Sequence, residues 1–224
     1  MPRQLVFELG HRTARGRDDF LVGPSNTTAV ALIDAWPAWP GPAVAISGPQ
    51  GSGKTHLAEV WREMSGAVSI DAAELAGANV PALVAARAII VEDVATLNDE
   101  AERTFFHLLN LVKEEGAFLL MTAREAPARL GIRLPDLASR LKALPHAELG
   151  GPDDALLAGV LVKLFDDRQL RVAEPLIAYV ASRIERRISV ARDVVEALDR
   201  ASLSGKRPIT VPLAAQVLEE LNLP

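Results

Sequence analysis

The sequence predicts an α/β fold: a parallel sheet with flanking helices, followed by a small all-α domain. Three observations lead there. Short apolar runs alternate with amphipathic stretches from about residue 43 to 125, and a glycine-rich loop ends the first run. After Gly150-Gly151-Pro152 only helical periodicity remains. The apolar content, 49% of 224 residues, is mainly Ala, Leu, Val and Ile, with 4% aromatic. That mixture suits helices packed on a buried parallel sheet better than a β-sandwich.

Ala43-Val44-Ala45-Ile46 reads as the first strand, followed by a loop and a helix over Thr55–Met64. The run from Ala67 to Asp71 reads as a second strand. Ala88-Ile89-Ile90-Val91 reads as a third, buried on both faces by its continuous apolarity. Asp99 and Glu102 have capping-box spacing ahead of a helix whose stripe is Phe105, Phe106, Leu108, Leu109 and Val112. Gly116 closes that helix, and Ala117 to Met121 makes a fourth strand.

Beyond Pro152 four stripes recur at helical spacing. They are Leu156, Leu157, Val160, Leu161, Leu164 and Phe165; Leu176, Ile177, Val180 and Ile184; Val190, Val194, Val195 and Leu198; and Leu213, Val217, Leu218 and Leu221. They predict the core of a small helical bundle. The expected organisation is an N-terminal arm over 1–19, an α/β domain over 20–150 and a helical lid over 151–224.

Several function classes fall away. With no cysteine there is no disulfide framework or thiolate metal site, which suits a reducing cytosol. No apolar run approaches the ~20 residues of a membrane span, and Met1-Pro2-Arg3-Gln4 does not open a signal peptide. A cytoplasmic protein without a membrane partner is expected. The net charge of −5 does not advertise a duplex-DNA reader, and Arg12, Arg15 and Arg17 read as a solvated loop.

The chemistry is carried by Gly48-Pro49-Gln50-Gly51-Ser52-Gly53-Lys54-Thr55, which fits G-x-x-x-x-G-K-[ST] at every fixed position. Glycines let successive N–H groups curl around an anion, and the following helix adds the positive end of its dipole. Lys54 reaches β- and γ-phosphates, and the Thr55 hydroxyl is suited to Mg²⁺. Glu92 and Asp93 stand at the C-terminal end of the third strand, where open parallel sheets bind their ligands. One acid would hold Mg²⁺ through water and the other would orient the attacking water. Thr122, after the fourth strand, offers a hydroxyl toward the γ-phosphate or that water.

These residues together resemble the AAA+ core of the replication initiator DnaA, and more closely its shorter regulators of the Hda family (HdaA in alphaproteobacteria). Phe20-Leu21-Val22-Gly23-Pro24-Ser25-Asn26 is similar to the segment that lines the family's adenine pocket. The stretch from Leu134 to Leu141 resembles the one carrying the arginine finger, which places that role on Arg140. Ser189-Val190-Ala191-Arg192-Asp193 looks like the second sensor, with Arg192 toward phosphate. Asp199-Arg200-Ala201-Ser202 and Ile209-Thr210-Val211-Pro212 resemble the Hda C-terminal region. Gln4-Leu5-Val6-Phe7-Glu8-Leu9 resembles the motif that docks on the β sliding clamp of DNA polymerase III, with Gln4, Leu5, Phe7 and Leu9 as anchors. From composition alone the same segment also reads as an N-terminal strand of the protein's own sheet.

The resemblance implies ADP or ATP with Mg²⁺ as cofactors. Nucleotide would be held by Phe20, Val22, Gly23, the loop from Gly48 to Thr55, His56 and Arg192, and the metal by Thr55 and Glu92. It implies DnaA, the clamp and, through the clamp, DNA as partners, with a homodimer allowed. The implied function is inactivation of DnaA: with the DNA-loaded clamp, the chain stimulates hydrolysis of DnaA-bound ATP, with Arg140 acting in trans and weak or no ATPase activity of its own. Ending at Pro224, the sequence is expected to lack the initiator's helix-turn-helix domain. It departs from the family at Glu92, where Asp is usual, and the longer side chain shifts the metal geometry. The rival readings are a self-sufficient AAA+ ATPase of the helicase-loader type and an origin-associated DNA-binding relative of DnaA.

Overall fold

The computed structural model describes residues 20–205 and 207–222. Gln4, Leu5, Phe7 and Leu9 lie outside the described residues. Five strands, β1 (Ala43–Ser47), β2 (Val68–Asp71), β3 (Ala88–Glu92), β4 (Phe118–Ala123) and β5 (His146–Glu148), form one sheet. Its order is β2-β3-β4-β1-β5 and every pairing is parallel. β1, β3 and β4 are nearly continuous apolar runs because both of their faces are covered.

The α/β unit also holds α1 (Thr27–Asp34), α2 (Lys54–Ser65), α3 (Val80–Ala85), α4 (Asp99–Glu114) and α5 (Pro135–Lys142). Ala45, Ile89, Val91, Leu119 and Met121 turn to one side of the sheet, against Phe105, Leu108 and Val112 of α4 and Leu137 and Leu141 of α5. The residues between them (Val44, Ile46, Ile90 and Leu120) point the other way and are equally buried. On that side α2 packs on β3 and β4 with Leu57 and Trp61 fully enclosed.

Two details depart from the sequence reading. The alternation does not end near residue 125: α5 and β5 continue it, and β5 completes the sheet beside β1. The capping box is not formed either. Asn98 is the N-cap of α4, its Oδ1 accepting from the Ala101 N–H at 2.9 Å, and Asp99 is already inside the helix. Glu102 does not return to the cap; its carboxylate accepts from the N–H groups of Arg133 and Leu134. Gly116 does close the helix, at φ 63°, with the Ala117 N–H donating to the Val112 carbonyl at 2.9 Å.

The chain divides into two compact units between Gly150 and Gly151, with residues 21–25 grouped with the second. That unit consists of α6 (Asp154–Asp167), α7 (Glu174–Ala181), α8 (Ile188–Gly205) and α9 (Val211–Glu220). Its core gathers Leu157, Phe165, Leu176, Val180, Val194, Leu198, Leu213 and Val217. Leu221, read as part of the last stripe, lies just past α9 and is 38% exposed. No helix among the described residues is long and apolar enough to cross a membrane.

Removing the α4 cap separates the two assignments. Asn98→Ala is expected to lower stability by about 1 kcal/mol, read from the urea midpoint. Asp99→Ala removes only an exposed pair with Arg133 and a first-turn charge, and should lower it less.

Candidate functional site

Strand β1 ends in a loop that only glycine can build. Gly48, Gly51 and Gly53 have φ of 153°, 78° and 101°. The Gly48 N–H donates to the Ala123 carbonyl at 3.2 Å, and the Leu149 N–H donates to the Ser47 carbonyl at 2.7 Å, so the Ser47–Gly48 peptide is held from both sides. A Cβ on Gly48 would stand 2.2 Å from the Leu149 carbonyl oxygen. The loop then turns into α2, whose N-cap Gly53 supplies no side-chain acceptor, so the helix's first N–H groups face the loop.

Lys54 Nζ donates to the carbonyls of Gly48 and Pro49 at 2.8 and 2.9 Å. These bonds use two of its three donors and bring the ammonium back over the loop. Burial pushes the Lys54 pKa below its ordinary value; Asp93 opposes the shift and Arg124 adds to it. A cation already costly to bury is stabilised by any anion that enters the loop.

The acids close the other side. Thr55 Oγ1 donates to Glu92 Oε2 at 3.2 Å. Two oxygens at that separation are close to the about 2.9 Å spacing of adjacent ligands around octahedral Mg²⁺, a hard cation that takes one or two carboxylates together with substrate phosphates. Glu92 therefore fits a Mg²⁺ site despite its extra methylene. The described residues contain no cluster of three or more His, Cys, Asp or Glu that would hold a metal without phosphate.

Asp93 sits at φ 50°, left-handed backbone that a non-glycine residue rarely adopts. Its N–H donates to Thr122 Oγ1 at 3.1 Å, and Thr122 is buried at the end of β4. The Asp93 carboxylate pairs with the Arg124 guanidinium at 3.1 Å, while its Oδ1 is buried without a hydrogen-bond partner. One acid is thus tied to the loop hydroxyl, and the other lies between Thr122 and a second cation.

Phe20 is buried and stacks on His56 of α2, ring centroids 5.3 Å apart and 16° from parallel. Pro49, Gln50 and Ser52 form the rest of the loop, and Ser52 Oγ is buried without a partner. Arg140 projects from α5 of the same unit, exposed, with its guanidinium 4.7 Å from the centre of the Phe106 ring. Val22, Gly23 and Arg192 belong to the helical unit: Gly23 lies against Leu156, and Arg192 is exposed on α8.

The sequence reading misses the roles of two residues. Arg124 carries no motif of its own, and only its place two residues after Thr122 marks it. Glu102 falls on the apolar stripe of α4, three residues before Phe105, and an acid on a buried stripe is the signal that it has an internal partner.

Comparison with solved proteins fixes the fold. Domain III of the Thermotoga maritima replication initiation protein DnaA superposes with a TM-score of 0.79 at 19% identity, over 91% of this chain and 95% of that one. AMPPCP-bound DnaA from Aquifex aeolicus gives 0.69 at 18% identity, over 83% of this chain and 65% of the other. Residues 154–218 match the family described as the Hda lid domain. The chain has the fold of DnaA domain III, and its helical unit is similar to the Hda lid domain. Over 134 residues, 59% of its length, it is 27% identical to the chromosomal replication initiator protein DnaA of Flavobacterium psychrophilum, of which it spans 28%. An uncharacterized protein of Haemophilus influenzae is 27% identical over 188 residues, 79% of this chain and 81% of its own.

Gly48 gives the site its most sensitive test. Gly48→Ala forces a methyl group onto the Leu149 carbonyl and is expected to destabilise the α/β unit by about 3 kcal/mol, read as a fall in thermal midpoint.

Proposed function

We propose that this chain is a regulator of replication initiation that acts on DnaA. The observation that carries this reading is the Hda-type lid at residues 154–218 on a P-loop AAA+ fold. The exposed Arg140 agrees with it, since no carboxylate among the described residues pairs with this guanidinium.

On this reading the chain binds ADP or ATP on the loop from Gly48 to Thr55, with Thr55 and Glu92 holding Mg²⁺. The metal, when bound, neutralises charge on the β- and γ-phosphate oxygens. Lys54 and the loop N–H groups orient the phosphates, and the resemblance assigns Arg192 a role toward phosphate as well. Asp93, paired with Arg124, is poorly placed to orient water, which supports a nucleotide that acts as a conformational ligand with little turnover. Arg140 works in trans. Brought beside the γ-phosphate of ATP held by DnaA, its guanidinium stabilises the charge that develops on the transferred group, a contribution worth about 10³ to 10⁵ in rate. DnaA is left with ADP. Gln4, Leu5, Phe7 and Leu9, outside the described residues, would recruit the chain to DNA-loaded β clamp.

The test uses DnaA preloaded with labelled ATP, this chain with ADP, and DNA-loaded clamp. Release of phosphate should accelerate with all components and return to the DnaA baseline with Arg140→Ala, while ADP binding by that variant is unchanged. Lys54→Ala should lose ADP binding as well. Steady turnover by this chain alone, without acceleration of DnaA, would favour a self-sufficient ATPase. Salt-sensitive DNA affinity without the clamp would favour a DNA-binding relative of the initiator.

A further inference from the structure

Glu102 is the one charged residue that is buried among the described residues, 4% exposed, and neither the nucleotide loop nor its acids touch it. Its carboxylate accepts from the Arg133 N–H at 3.0 and 3.1 Å and from the Leu134 N–H at 2.7 Å. Those two residues lead into α5, whose N-cap Leu134 has no capping side chain and whose first residue, Pro135, has no N–H. A carboxylate from α4 therefore caps the entry to α5 and meets the positive end of its dipole. Leu137 and Leu141, both fully buried, fix the rotation of α5 about its axis. One turn further along α4, on the same face as Glu102, the Phe106 ring lies under the Arg140 guanidinium at 4.7 Å. Asp99, one turn earlier on that face, pairs with Arg133 at 2.8 Å.

We infer that Glu102 and Phe106 are positioning residues for Arg140, an inference that rests on the trans-acting role proposed above. A free arginine side chain has many rotamers, and a group that must meet a phosphate in one geometry gains rate by arriving already ordered. Glu102 sets where α5 begins. Phe106 narrows where its arginine points by holding the guanidinium over its ring. A half-buried ring at the margin of the core and a buried acid satisfied by backbone N–H groups thereby acquire one purpose.

The experiment is the phosphate-release assay with full-length chain, titrated so that maximal acceleration and the half-saturating concentration are read separately. Phe106→Leu and Phe106→Met, two apolar replacements without a ring, should each lower maximal acceleration about threefold to fivefold with half-saturation unchanged. Phe106→Tyr should restore it. Glu102→Gln, which turns an N–H donor toward the Arg133 and Leu134 N–H groups, should lower it too, with ADP binding retained. If Arg140→Ala abolishes acceleration but both ring-free variants keep it, the positioning role is overturned and the trans-acting arginine stands. A loss that Tyr does not rescue, or that moves half-saturation alone, assigns Phe106 to packing and also overturns it. If Arg140→Ala changes nothing, both readings fall.

Discussion

The α/β unit depends on a place where no side chain fits. β1 is held between β4 and β5, and the parallel pairing with β5 carries the Leu149 carbonyl to 2.2 Å from where a Cβ of Gly48 would be. The strand can leave the sheet there only as glycine, at φ 153°, and the chain is turned at once into the loop that ends on Gly53 and the N-terminus of α2. The anion-binding character of the site thus follows from strand packing. Lys54, Thr55 and the helix dipole are delivered together because one close approach fixes the direction in which the chain leaves the sheet.

Charge is distributed around that loop in an alternating way. Lys54, disfavoured by burial, is followed outward by Asp93 and then by Arg124, which takes the carboxylate Asp93 would otherwise offer to water. Asp93 is in turn held by left-handed backbone and by Thr122. Such an arrangement keeps phosphate binding and water activation on separate residues. Under the proposed function, in which Arg140 acts on nucleotide held by DnaA, the first is needed and the second is not.

Much of this was legible in the sequence wherever one physical requirement dominates a segment. β1, β3 and β4 must be apolar on both faces, so they stand out as runs; the loop must be glycine at fixed places, so its spacing shows. β5 and α5 do not stand out. β5 is three residues, His-Ala-Glu, of which only Ala147 is buried, and its membership comes from pairing with β1 alone. α5 is an eight-residue helix that opens on Pro135. Glu102 shows the limit most clearly. Its spacing from Asp99 fits a local capping box, while its place on a buried stripe fits a distant partner, and only the packing of the 133–134 segment against α4 decides between them. Arg124 and Phe106 depend in the same way on which strand end or helix lies beside them.

The central claim is that this chain causes ATP held by a different molecule to be hydrolysed. Exchanging the label tests it most directly. In one reaction DnaA carries γ-labelled ATP and this chain carries unlabelled nucleotide; in the other the label starts on this chain; DNA-loaded clamp is present in both. The account expects rapid release of labelled phosphate in the first arrangement and little in the second. Release that follows the label onto this chain, with DnaA-bound ATP untouched, would contradict it.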